Sequence, residues 1–180
     1  MSDRGAHVID LAQLGNNSDK TAPVEYIAKG TRPQSKLYDA FFDYDFECKY
    51  ADGMTIKGTH DEPRGIKYIG DEGWVFVHIH GGNLEASKPS ILKEKIGDNE
   101  IHLGRSPGHH RNFLDCVKSR KEPMAPYYVG HNTATICHLL NISMQLGGAR
   151  LKWDPKKEVI TNNAQANSMI SRPIREPWRL

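Results

Sequence analysis

Residues 43–58, DYDFECKYADGMTIKG, show side-chain character that alternates with a period of two. Apolar and aromatic side chains occupy one face, at Tyr44, Phe46, Cys48 and Tyr50, and charged side chains occupy the other, at Asp43, Asp45, Glu47 and Lys49. This pattern predicts a strand buried on one side. Asp52-Gly53 then supplies turn residues, and Met54, Ile56 and Gly58 resume the apolar side. The segment therefore predicts a β-hairpin.

Further strands flank this hairpin on both sides. Val24–Ala28 predicts a strand before it, and Ile66–Ile69 with Trp74–Ile79, joined by the turn Asp71-Glu72-Gly73, predicts a second hairpin after it. Strands joined by tight turns indicate an antiparallel meander.

Helical spacing appears at the start and in the second half of the chain. Residues 4–15 predict a helix ending at Gly15-Asn16, and helices are also predicted near His109–Arg120, Val129–Leu146 and Asn163–Ile170. The second sets Phe113, Leu114 and Val117 on one side, and the third sets Ile136, Cys137, Leu140 and Met144 at core spacing. Strands clustered before helices predict a two-layer α+β domain over residues 1–180, with helices on one face of a predominantly antiparallel open sheet.

Composition excludes several classes of protein. The 24 basic and 22 acidic residues nearly cancel to +2 and are scattered, whereas nucleic-acid binding needs a concentrated basic face. The basic residues Arg172, Arg175 and Arg179 predict a solvated or interface tail. No apolar run reaches the roughly 18 residues that span a membrane. Three widely spaced cysteines, Cys48, Cys116 and Cys137, form no CxxC pair, which favours a reducing, cytoplasmic setting.

Nucleotide-binding motifs are missing from the sequence. No GxGxxG follows a predicted strand, and no GxxxxGK[ST] loop occurs. Gly81-Gly82-Asn83 is interpreted as a turn that ends a strand. We therefore expect no cofactor-binding residues within this chain.

The most suggestive chemical grouping lies in the first predicted helix. Asp3, His7 and Asp10 are spaced i, i+4 and i+7, which places them near one helix face. A carboxylate one turn from an imidazole can fix its tautomer and raise its basicity, as suits a general base near neutral pH. Acidic residues also gather at helix starts for capping and dipole reasons, and the spacing alone favours that interpretation.

Two weaker groupings have simpler explanations. His78 and His80 could form half of a metal site, with His60 or His109-His110 as further donors, but no HExxH or paired cysteine supports a metal. An aromatic set could stack on carbohydrate, namely Trp74, Phe76, Trp153 and Trp178. For Trp74 and Phe76, a place in the sheet core or in a subunit contact is favoured.

Five segments in order resemble one known family. They are RGAHVIDLAQLG at 4–15, GIKYIGDEGWVFV at 65–77, HHRNFLDCVKSRKEP at 109–123, GHNTATICHLLNISMQLGGARLKWDPKKEVI at 130–160 and RPIREPW at 172–178. Together they resemble the C-terminal portion of bacterial members of the glucose-fructose oxidoreductase, inositol dehydrogenase and MocA family.

The resemblance implies both a fold and a chemistry. Members of that family join an N-terminal Rossmann domain, which binds NAD or NADP, to an α+β domain whose open sheet commonly supports oligomerisation. A lysine of an EKP-type motif on the nucleotide domain works there with an Asp-x-x-x-His pair, which Asp3 and His7 match. The implied roles are proton abstraction from a sugar or cyclitol hydroxyl by His7, and orientation of the imidazole or contact with substrate by Asp3. Asp10 is interpreted as a helix residue or a support behind that pair.

The same resemblance implies what this chain lacks. The Rossmann domain and the EKP lysine do not precede Asp3, so we expect the chain alone to be inactive and to work as the substrate-binding and oligomerisation part. Expected partners are further copies of the chain through the open sheet face, a separate Rossmann domain, and a sugar or cyclitol. Two alternatives stay open: a stand-alone, non-catalytic oligomerisation or carbohydrate-binding module, and a histidine-based metal protein.

Overall fold

The described part of the chain forms two antiparallel sheets, of five and of three strands. The computed structural model describes residues 1–35, 37–61, 63–79 and 82–178. Contacts group the chain into a first unit, Met1–Pro63 with Asn132–Leu180, and a second unit, Arg64–His131. The elements in chain order are α1 Arg4–Gly15, β1 Glu25–Thr31, β2 Phe42–Lys49, β3 Thr55–Thr59, β4 Gly65–Gly70, β5 Gly73–His78, β6 Leu84–Ala86, a 3-10 helix Ile91–Lys93, α2 His109–Ser119, α3 Tyr127–Gln145, β7 Leu151–Asp154, β8 Val159–Ile160 and α4 Ala164–Ser168.

The five-stranded sheet of the first unit has the order β3-β2-β1-β7-β8. Tyr26 of β1 pairs with Cys48 of β2 and with Leu151 of β7, and Cys48 pairs in turn with Ile56 of β3. Because directly paired residues point to the same side of a sheet, these four side chains share one face. The alternation in residues 43–58 therefore reflects strands with one face towards the core, as predicted.

Helices α1 and α3 supply the other half of the core. Ile9 of α1 and Ile136, Cys137, Leu140 and Met144 of α3 are buried in one cluster with the sheet residues. Two glycines with positive φ, Gly147 (69°) and Gly148 (89°), follow helix α3, as is common after helix C-termini. The α+β class and the core positions predicted for α3 are confirmed.

A buried serine ties α3 to the sheet. Ser143 Oγ accepts a hydrogen bond from the Ala28 backbone N–H at 2.9 Å and donates to the Ala149 carbonyl at 2.7 Å. Its side chain has no solvent exposure. The hydroxyl therefore satisfies two backbone groups that lie beyond the reach of the sheet's own hydrogen bonds.

The second unit is built on the sheet β4-β5-β6, in which Phe76 of β5 is buried. The hairpin predicted at the turn Asp71-Glu72-Gly73 is the β4–β5 pair, but these strands form a sheet of their own. Helix α2 has its apolar side chains on one side, as predicted, and they are exposed: Phe113, Leu114 and Val117. In the ranges that the structure describes, no helix is long and apolar enough to cross a membrane.

The prediction of a single domain over residues 1–180 stays a prediction. Contacts define two compact units, but such a division does not test whether the two parts fold separately.

Replacing Ser143 with alanine is expected to lower the free energy of unfolding by about 1–3 kcal/mol, because the Ala28 N–H would stay buried without an acceptor. Urea denaturation followed by circular dichroism measures the change. The exposed Ser171, changed to alanine, is the matched control and should shift stability by less than about 0.5 kcal/mol. Equal stability of the two variants would contradict the role given to Ser143.

Candidate functional site

Asp3 and His7 lie at the first turn of α1 with both side chains exposed. The helix begins at Arg4, so Asp3 occupies the N-cap position, yet its carboxylate accepts no capping hydrogen bond. Capping therefore does not account for this aspartate. In the part of the chain that the structure describes, no hydrogen bond or ion pair joins Asp3 to His7, although their four-residue spacing places them on the same side of the helix.

The opposite side of α1 fixes the direction in which this pair faces. Ile9, Ala12 and Gln13 are buried, and a Cβ at Gly5 would lie 4.0 Å from the Tyr44 hydroxyl of β2. Because this side is packed on the sheet, Asp3 and His7 face away from the core. Their side chains are placed where a substrate or another polypeptide can reach them.

Asp10 does not pair with His7. It is half-buried, and its Oδ1 accepts a hydrogen bond from the Thr133 hydroxyl of α3 at 3.2 Å. Gln13, which has no exposed surface, donates through Nε2 to the same Thr133 oxygen at 2.7 Å. Asp10 is thus part of a hydrogen-bonded link between α1 and α3. This position is compatible with the interpretation of Asp10 as a helix residue or a support behind the Asp3–His7 pair.

Asp19 lies just beyond the C-terminal end of α1. It follows the helix in the loop to β1, and its backbone carbonyl accepts a hydrogen bond from Asn132 Nδ2 at 2.7 Å. Burial raises the pKa of its carboxyl above the usual range, and the nearby charge of Asp10 raises that pKa further. Gln13, Asp19 and Thr133 were not predicted from the sequence. The available signal was Gln13, a polar residue on the apolar side of a helix.

Two of the histidines considered for metal binding, His78 and His60, contact acidic side chains. His78 Nε2 lies 2.6 Å from Glu85 Oε1, and the His78 ring contacts Phe76 edge-on at 4.6 Å. His60 Nε2 lies 3.1 Å from Asp43 Oδ1. His109 and His110 are exposed on α2, and His80 is outside the described residues. Among the residues described, no group of three or more His, Cys, Asp or Glu could hold a metal ion.

The aromatic residues noted in the sequence are distributed over both units. Trp153 is buried in the core of the first unit, whereas the Trp74 ring in the second unit is covered by Lys67 Nζ at 4.1 Å. Trp178 is exposed, as are Arg172 and Arg175 of the tail, and Arg179 lies outside the described residues. Gly82 has the positive φ (66°) expected of a turn, while Gly81 is not among the described residues.

Two of the cysteines are unsuited to nucleophilic chemistry. Cys48 and Cys137 are buried and free. Burial raises the pKa of the Cys137 thiol to about 11 and raises that of the Cys48 thiol further. Both thiols are therefore protonated at neutral pH.

Comparison with known proteins identifies related domains. The sequence matches the model of an oxidoreductase family, C-terminal alpha/beta domain, over residues 1–180. An aldose-aldose oxidoreductase from Caulobacter crescentus, crystallised in complex with glycerol, superposes with a TM-score of 0.54 at 14% identity, over 82% of this chain and 45% of that one. An NAD-binding protein from Listeria innocua superposes with a TM-score of 0.57 at 15% identity, over 83% of this chain and 46% of that one.

These likenesses concern the fold, since both identities are low. This chain spans less than half the length of either solved structure. No curated protein matches it.

Replacing Asp19 with asparagine is expected to raise the melting temperature at pH 7. The folded carboxyl has a raised pKa, so ionisation costs folding free energy as the pH rises from the unfolded value near 3.8 through the folded value. Asparagine carries no such cost. Melting curves of both proteins from pH 3 to 8 should converge towards the acid end, and a gap that widens as the pH falls would contradict the assignment.

Proposed function

Because this chain belongs to the oxidoreductase family whose C-terminal alpha/beta domain it matches over residues 1–180, we propose that it forms the substrate-binding half of a nicotinamide-dependent dehydrogenase. The proposed substrate carries a sugar or cyclitol hydroxyl. The Caulobacter neighbour supports this class, since it is an aldose-aldose oxidoreductase complexed with glycerol. The Listeria neighbour, an NAD-binding protein, supports NAD or NADP as the hydride acceptor.

The observation that carries the proposal is the outward-facing pair at the start of α1. His7 is exposed one turn from Asp3, on a helix whose other side is fixed by the core. In the proposed reaction, neutral His7 accepts the proton of the substrate hydroxyl through a ring nitrogen. Asp3 accepts a hydrogen bond from the other ring nitrogen once substrate is bound, which sets the tautomer and stabilises the imidazolium that forms.

The residues of this chain do not fit the nucleotide itself. The sequence has no glycine-rich turn between a strand and a helix, so nothing in it corresponds to a pyrophosphate cradle. A nicotinamide supplied by a Rossmann domain would accept the hydride from the carbon that bears the reacting hydroxyl, and His7 would accept the proton of that hydroxyl. The part proposed for this chain is proton transfer and substrate orientation, and it requires that second domain for turnover.

We also propose self-association through the five-stranded sheet. Within the first unit, α1 and α3 pack on one sheet face, and the opposite face carries charged pairs such as Glu47 with Lys57 at 3.3 Å and Glu25 with Arg150 at 3.1 Å. Such pairs can exchange partners between two copies of the same surface.

Changing His7 to alanine in a form joined to a matching Rossmann domain is expected to lower kcat about 100-fold to 10,000-fold, the usual contribution of a general base. Asp3→Asn should lower kcat less and shift its pH profile. The matched control is His109→Ala, an exposed histidine of α2, which should leave turnover unchanged. Retained activity in folded His7→Ala protein would end the assignment.

Calorimetric titration of the 180-residue chain with NAD and NADP is expected to show no binding, because the sequence has no phosphate cradle. The solution mass measured alongside should be that of an oligomer. Tight nucleotide binding would contradict the proposal that a separate Rossmann domain binds the nucleotide. Thermal stabilisation by sugars without nucleotide, with no turnover after fusion to a Rossmann domain, would favour a carbohydrate-binding module instead.

A further inference from the structure

A buried chain of hydrogen bonds joins α1 to α3. Gln13 Nε2 donates to Thr133 Oγ1 at 2.7 Å, and the Thr133 hydroxyl donates to Asp10 Oδ1 at 3.2 Å. Gln13 has no exposed surface, and Thr133 is buried. The preceding residue of α3, Asn132, donates to the backbone carbonyl of Asp19 at 2.7 Å, in the loop that follows α1. Two consecutive residues of α3 thus hold α1 and its exit loop.

The apolar contacts of α1 constrain its rotation about its own axis less than these hydrogen bonds do. Apart from Gln13, the buried residues of α1 are Ile9 and Ala12. Burial of apolar surface is favourable without preferring one direction. A hydrogen bond weakens steeply when its angle departs from linearity. The link through Thr133 is therefore the contact that defines how α1 is rotated against α3.

Stability alone does not account for a glutamine at position 13. Within the described ranges of the chain, no donor reaches Gln13 Oε1, although that atom is buried. A buried acceptor without a donor costs free energy of folding, and an apolar side chain of similar size would avoid that cost. Buried polar groups of this kind can instead specify one arrangement of the elements that they join. For Gln13 those elements are α1 and α3.

We propose that Gln13 and Thr133 are positioning residues for His7, an inference that rests on the proposed function. His7 lies about two turns before Gln13 on the same helix. An α-helix with its side chains has a radius of about 5–6 Å, so rotation of α1 by about 10° moves the His7 imidazole by about 1 Å. A displacement of about 1 Å can lower the rate of an enzyme about 100-fold. The link behind α1 thus sets the distance from His7 to the substrate hydroxyl without touching the substrate.

The test uses a variant that removes the link without leaving a buried partner. The double substitution Gln13→Leu with Thr133→Val replaces both buried residues by apolar side chains of similar size. Asp10 is half-buried, so water can hydrate its carboxylate. We expect the melting temperature of the 180-residue chain to change by less than about 5 °C, because replacing both partners of a hydrogen bond by apolar groups is nearly neutral. Should this variant unfold, Gln13→Met alone takes its place with the same expectations, since it keeps the bond from Thr133 to Asp10.

The first readout is the position of α1 in crystals of the double variant and of the unmodified chain. After superposition on β1 and β2, we expect His7 to be displaced by about 1 Å, the distance that matters for catalysis, or to occupy more than one position. An unchanged position of α1 would overturn the proposal. This readout does not depend on whether the chain takes part in a dehydrogenase.

The second readout is turnover in the form joined to a matching Rossmann domain. The double variant should lower kcat about 10-fold to 100-fold and leave KM essentially unchanged, because substrate still binds while the base is misplaced. Thr133→Ser keeps the hydroxyl and should retain most of the activity. The matched control is Thr135→Val, at a half-buried threonine of the same helix, which should leave both kcat and KM unchanged.

The outcomes separate this inference from the proposed function. Full kcat in the folded double variant, together with loss of turnover in His7→Ala, would overturn the positioning role and leave the catalytic assignment in place. Retained turnover in His7→Ala would end the catalytic assignment, and the positioning role would end with it.

Discussion

Burial of α3 against the five-stranded sheet forms the core of the first unit. Ile136 and Leu140 are inaccessible to solvent, and they lie in one cluster with Tyr26 of the sheet and Ile9 of α1. Ser143 adds a polar anchor within this apolar contact, because its hydroxyl serves the backbone of β1. The direction of α1, and with it the exposure of Asp3 and His7, follows from that packing.

The sequence pattern predicted those strands and helix faces that are determined by residues close together in the chain. Alternation at 43–58 predicted β2 and β3, and the spacing of Ile136, Cys137 and Leu140 predicted the buried side of α3. What the pattern missed depends on residues far apart in the chain. The link from Asp10 and Gln13 to Thr133 spans more than a hundred residues, so no local signal announced it. Strands β4–β6 form a second sheet because they pair with one another and not with β1–β3. Alternation of side chains predicts a strand but does not predict its pairing partner.

The candidate site shows how one helix can serve two purposes. Its outward side bears Asp3 and His7, the proposed catalytic pair, while its inward side bears Gln13 among apolar neighbours. A general base gains from a fixed position, because small displacements of a catalytic group lower the rate steeply. The hydrogen bonds between α1 and α3 would therefore help to hold the proposed general base in a fixed position.

The register of β1 and β2 restricts how this sequence can change length over evolution. Tyr26 faces the core because it pairs with Cys48, and side chains alternate between the two faces of a strand. Gain or loss of one residue within β2 would turn its aromatic residues to the outer face and bring Asp45 or Glu47 inwards. Length variation among homologous sequences should therefore collect in the irregular stretch between β6 and α2, where backbone pairing imposes no such parity.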